Sequence, residues 1–141
     1  MILCVDFDGT CVTHEYPKVG REIGASYVLP LLYERGVDII VYSMRCGQEM
    51  EDAVQWFTNN GIRLFGINNN PEQRIWTTSV KPYAHMYIDD AALGCPLIKN
   101  GYASRPFVDW SFIAYSFAKL GYIEYEEAAD IEKKIHALMN K

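Results

Sequence analysis

The chain has 141 residues, half of them hydrophobic, and a formal net charge of −5. That length bounds a single domain, 1–141, able to bury roughly two thirds of its unfolded surface without disulfide staples. The acidic balance excludes a global attraction to nucleic acid or to an anionic membrane, and no apolar run reaches transmembrane length.

Ile2-Leu3-Cys4-Val5 is a short apolar run that ends in Asp6-Phe7-Asp8-Gly9-Thr10. Such a run predicts a buried strand of a parallel sheet, with Asp6 and Asp8 on one side of its end and Gly9 permitting a sharp turn. Residues 11–25 hold Pro17, Gly20 and Gly24 and read as an irregular loop or small flap. A helix is predicted from about Ser26 to Arg35, limited by Pro30 and stopped at Gly36. Val37–Tyr42 is the second strong strand, leading into Ser43-Met44-Arg45. A helix then runs from Gln48 to Asn59 on a stripe of Met50, Ala53, Val54 and Phe57.

Leu64–Ile67 gives a shorter third strand, followed by a turn-rich stretch and, within 72–80, a short helix that Thr77, Thr78, Ser79 and Val80 disfavour. After Lys81-Pro82, the run Ala84–Ile88 is a fourth strand that ends in Asp89-Asp90. Pro96-Leu97-Ile98 reads as a fifth. Asp109 predicts the N-cap of a helix burying Phe112, Ile113, Ser116, Phe117 and Leu120. A last helix starts near Tyr125 on a stripe of Ala128, Ile131, Ile135 and Leu138, so 108–141 is a helical extension.

Strands alternating with helices indicate an α/β fold, a parallel sheet of about five strands covered on both faces. Right-handed crossovers bring the ends of strands one, two and four to one edge, and with them Asp6, Asp8, Ser43, Lys81, Asp89 and Asp90. Close carboxylates repel unless a cation or a shared proton compensates them, and oxygen-only ligands favour Mg²⁺. Ser43, Lys81 and the amides of the turns after strands one and two would hold the oxygens of a phosphoryl group. Arg45 either contacts substrate beside Ser43 or sits at the surface. His14, His85 and His136 have no metal or triad spacing and read as structural, and Tyr16 and Tyr83 either line the open mouth or serve as packing residues. The four cysteines, Cys4, Cys11, Cys46 and Cys95, form no CxxC pair and read as reduced thiols. With no basic leader at the amino terminus, the expected location is cytoplasmic.

Val5-Asp6-Phe7-Asp8-Gly9-Thr10 resembles the first motif of the haloacid dehalogenase-like superfamily. Ser43, Lys81 and Ile88-Asp89-Asp90 resemble its second, third and fourth, in the family's order. The resemblance implies a three-layer α/β/α Rossmann-like core and a phosphatase that works through an aspartyl-phosphate on Asp6. It implies that Asp8 is acid and base, and that Ser43, Met44 and Lys81 hold phosphate. It implies Mg²⁺ on Asp6, Asp8 through its backbone carbonyl, Asp89 and Asp90, the last directly or through water. Tyr16-Pro17-Lys18-Val19-Gly20, Ser43-Met44-Arg45, Lys81-Pro82-Tyr83-Ala84 and Tyr87-Ile88-Asp89-Asp90 are also similar to a subgroup of small members. That subgroup often has a basic residue where this chain has Ala91.

The intervals between the motifs leave no room for a large cap, so the expected site is open, suited to a bulky phosphorylated substrate or to completion by another subunit. A 3'-phosphatase acting on nucleic-acid ends is an alternative that the open site and Arg45 favour and the net charge does not. A silent phosphate-binding domain is the second. A receiver-type phosphoacceptor would place its paired acids on the first strand and its acceptor on the third, and loses on order.

Overall fold

The computed structural model describes residues 1–140. Four parallel strands form the central sheet: β1 (Ile2–Val5), β2 (Asp38–Val41), β3 (Gly66–Ile67) and β4 (Met86–Ile88), in the spatial order β3-β2-β1-β4. The register pairs Val5 with Val41 on one side and with Ile88 on the other. The chain steps outward from β1 to β3 and then returns to the far side of β1. The carboxyl ends of β1 and β4 therefore flank the point where strand order reverses, the usual ligand crevice of an open α/β sheet.

The two faces of the sheet are clothed unequally. Leu3, Val5, Ile39, Val41 and Ile88 join the buried residues of all four helices in one core. Alternation along the strands sends Cys4 and Ile40 to the opposite face, where they meet Ala84, Ile2 and Phe65. That face is covered by the connection from β3 to β4, which contains only a 3-10 turn, Gln73–Ile75. Side-chain amides hold it in place of a helix: Asn70 donates to the Tyr83 carbonyl, and Gln73 donates to the carbonyls of Ser79 and Lys81 while accepting from the Tyr83 amide.

Helices α1 (Ala25–Glu34) and α2 (Gly47–Asn59) lie where the periodicity predicts, and Pro30 is accommodated inside α1. Trp56 joins the α2 stripe and packs edge-on against the buried Phe7 ring, which Phe57 meets at a tilt, at centroid distances of 5.8 and 6.0 Å. Phe7 thereby anchors the loop that carries the two acids.

The predicted fifth strand is found but not in the sheet. Leu97–Ile98 (β5) pairs antiparallel with Phe107–Val108 (β6), leaving β4 as an edge strand. The helix α3 (Trp110–Lys119) is capped by Asp109, whose carboxylate accepts from the amides of Ser111 and Phe112. Its buried side differs from the predicted stripe: Trp110, Ile113, Ala114, Phe117 and Ala118 are inside, while Phe112 and Leu120 are 59% and 55% exposed. Trp110 sets this phase, because its indole is drawn under the first loop. The helix α4 (Tyr125–Met139) begins with a reciprocal capping box between Glu124 and Glu127 and buries Ala128, Ile131 and Ile135. Among the described residues, no helix is long and apolar enough to cross a membrane.

Candidate active site

Beyond Val5 the chain turns tightly: the amides of Thr10 and Cys11 return to the Phe7 carbonyl, and that of Gly9 reaches the Val12 carbonyl. Phe7 points into the helical core, so Asp6 and Asp8 are left facing the crevice. The fully buried Thr10 binds the two acid-bearing strand ends together. Its hydroxyl lies 2.9 Å from Asp6 Oδ2 and 3.3 Å from Asp90 Oδ1, and accepts from the Asp90 amide at 3.0 Å. Two donors from the C-terminal part close the loop from below: the Trp110 indole on the Thr10 carbonyl, 2.6 Å, and the Val108 amide on the Gly9 carbonyl, 3.0 Å.

Asp6, Asp89 and Asp90 each bring a carboxylate oxygen within 4.8 Å of the others. Burial, the hydrogen bond that the protonated Asp6 carboxyl donates to Asp90 and the charge of Asp89 push the Asp6 carboxyl up to about 8. A half-buried acid trio with nothing positive among its own members is under-compensated, and an all-oxygen donor set suits a hard divalent cation such as Mg²⁺. The residues present fit that ion.

An open depression of about 470 Å³ holds Asp6, Asp8, Ser43, Met44, Arg45, Asp89 and Asp90, seven of the eight residues expected at the site, together with His14, Tyr16, Ala91 and Arg105. The Ser43 amide donates to the Asn68 side chain and the Ser43 hydroxyl oxygen accepts from the Arg45 amide. The Met44 amide has no partner among the described residues, and its side chain is 98% exposed at the rim. Ser43 O–H and Met44 N–H are thus free donors at the end of β2. Of the turn amides expected to add donors, those of Gly9, Thr10 and Cys11 are already spent inside the first loop.

Lys81, Arg45 and His14 stand differently from the expectation. Lys81 does not line the depression. The amide-stitched segment delivers it to the thinly covered face, where its ammonium lies 5.0 Å from the centroid of the Tyr87 ring. Arg45 is neither at the surface nor free for substrate, for it is 2% exposed and grips Asp8 through two bonds of 2.8 Å. His14 belongs to the rim of the depression, where Tyr16 takes the first of its two expected places, whereas His85 is structural and accepts from the Ile2 amide.

Thr10 and Arg105 complete the site without having been assigned a part in it. The signal for Thr10 was its place in the first motif. Arg105, exposed in the loop between β5 and β6, carries no signal in the sequence, and among the described residues it forms no ion pair.

Fold and site together define an α/β Rossmann-like domain with an acid-lined crevice at the switch point of its sheet. A solved structure of a conserved protein from Bacteroides thetaiotaomicron is 36% identical to this chain with a TM-score of 0.60, the match covering 67% of this chain and 78% of that one. The chain belongs to the family of that conserved protein. No protein-family model and no curated protein matches it.

Proposed function

We propose that the protein is a Mg²⁺-dependent phosphomonoesterase of the haloacid dehalogenase-like type. The observation that carries this reading is the meeting of Asp6, Asp89 and Asp90 within 4.8 Å of one another, with Asp8 and Ser43 on the same open depression. Asp6, Asp89, Asp90 and the Asp8 carbonyl would hold the ion, which when bound offsets the carboxylate charge and polarises a phosphate oxygen.

In this reading an Asp6 oxygen attacks phosphorus as the ester P–O bond breaks, and Asp8 gives its proton to the departing oxygen. The Asp8 carboxylate then takes a proton from water. The resulting hydroxide attacks the aspartyl-phosphate, releasing phosphate and restoring both acids. The fork to Arg45 uses one lone pair on each Asp8 oxygen and leaves the other for this proton. Ser43 O–H and Met44 N–H face the transferring oxygens. Lys81 joins them by rotating its exposed ammonium off Tyr87, and Arg105 meets the leaving group.

The burial of Arg45 removes one of the two supports for an enzyme acting on nucleic-acid ends, and the net charge of −5 still argues against it. A cytoplasmic setting, with Mg²⁺ at hand and thiols reduced, belongs to the same proposal. The test is hydrolysis of an aryl phosphate and a panel of sugar phosphates, nucleotides and 3'-phosphorylated oligonucleotides, with Mg²⁺ and with chelator. Metal-dependent release of phosphate, lost in Asp6→Asn, is expected. Phosphate or a phosphate mimic raising the melting temperature without any turnover would favour a silent binding domain.

A further inference from the structure

All five N–H donors of the Arg45 guanidinium are used. Nε and Nη2 meet the two Asp8 oxygens, Nη2 also reaches the Lys18 carbonyl at 2.7 Å, and Nη1 donates to the carbonyls of Pro17 and Glu49 at 3.1 and 3.0 Å. Its planar head also lies 5.1 Å from the Phe7 ring and 5.2 Å from that of Tyr16. One side chain thus joins three segments, the loop of Asp6 and Asp8, the tip of the flap around Tyr16–Lys18 and the first turn of α2, of which the loop also meets the base of the flap through the bridge of Asp8 with Val12. A surface arginine has no need of such partners, and an arginine that binds substrate must keep donors free.

We infer that Arg45 is the positioning residue of Asp8, holding its carboxylate and the flap as one unit, so that the place of the flap sets the reach of Asp8 toward the leaving-group oxygen. The catalytic half of this rests on the phosphatase reading; the mechanical half rests on the hydrogen bonds alone. A fork fixes the plane of the carboxylate as well as its position. If the flap moves off, the Pro17 and Lys18 carbonyls leave two buried donors unsatisfied, which Asp8 alone does not replace.

Two measurements on the full chain separate the halves. Hydrogen exchange at the Lys18 amide, which donates to the Glu15 carbonyl within the flap, is expected to quicken about tenfold or more in Arg45→Met and also in Asp8→Asn, although the Asp8 side chain reaches the tip of the flap only through Arg45. Unchanged exchange in Asp8→Asn would overturn the coupling. With an aryl phosphate and Mg²⁺, Arg45→Lys and Arg45→Met are expected to lower kcat by about 100-fold, the lower end of what a well-placed acid contributes, with KM within threefold of wild type. Lysine restores charge without the fork, so recovery of kcat in Arg45→Lys would show that charge and not placement matters, and would overturn the inference. If Arg45→Met fails to fold, Arg45→Lys and Asp8→Asn carry the comparison. Absence of turnover in wild type would sink the phosphatase reading while the exchange data still decide the coupling.

Discussion

The carboxylate of Asp90 occupies the position that a Cβ on Gly9 would need. Gly9 also has a φ of +80°, a conformation that side chains resist, so its backbone and the end of β4 approach as closely as they do because nothing projects between them. Gly9→Ala is expected to push Asp90 out of the acid trio. Its Mg²⁺-induced rise in melting temperature should fall to near zero, with a loss of about 1–3 kcal/mol in stability from backbone strain, measured by calorimetry with and without the ion.

The raised Asp6 carboxyl makes metal-free stability depend on pH in a definite direction. Between its ordinary value of 3.8 and about 8 the folded chain keeps a proton that the unfolded chain has released. The folded state therefore binds more protons, and stability falls as pH rises through that window. In chelator, the melting temperature should drop by on the order of 5 °C between pH 5 and pH 8.5. Mg²⁺ held by the proposed acid trio would compete with that proton, so its stabilisation should grow with pH and level off above about 8. Asp6→Asn should flatten the slope and abolish turnover by at least about 1000-fold.

In the proposed mechanism Lys81, brought in from beside Tyr87, and Arg105 would supply the remaining positive charge, and steady-state kinetics should tell them apart. Lys81→Met is expected to raise KM by about 10–100-fold for every phosphomonoester, since it removes a charged hydrogen bond to the common group. Arg105→Met should change the ranking of substrates and leave the smallest aryl phosphate within about threefold. Equal effects of Arg105→Met on all substrates would move Arg105 to the phosphoryl group.

Trp110→Phe keeps an aromatic ring but deletes the indole N–H and part of the buried volume, leaving the buried Thr10 carbonyl unpaired. We expect a loss of about 1–3 kcal/mol in chemical denaturation. Because Thr10 bridges Asp6 and Asp90, Mg²⁺ affinity should weaken as well.

Much of this arrangement was legible in the sequence. The strands, the two early helices and the acids at the ends of β1 and β4 follow from apolar runs that stop at charge, and these signals are local. What escaped is set by contacts far apart in the chain. Leu97–Ile98 has the composition of a sheet strand, but only the presence of Phe107–Val108 decides its partner. Asp109 marks the start of α3 correctly, yet the facing of that helix depends on Trp110 meeting Thr10, one hundred residues away. The position of Arg45 next to Ser43 invites a substrate contact. Its burial is decided by Asp8 and by carbonyls of the flap, which have no signature in side-chain order. Arg105 is a single charge in a loop, and only the folded chain brings it to the acids.

The loop that bears Asp6 and Asp8 receives two of its supporting hydrogen bonds from Val108 and Trp110. On a ribosome, every motif residue up to Asp90 emerges before either of them. The acids are thus synthesised early but seated late: a nascent chain carries the chemical groups of the site without the geometry, and gains it only as its final third is delivered.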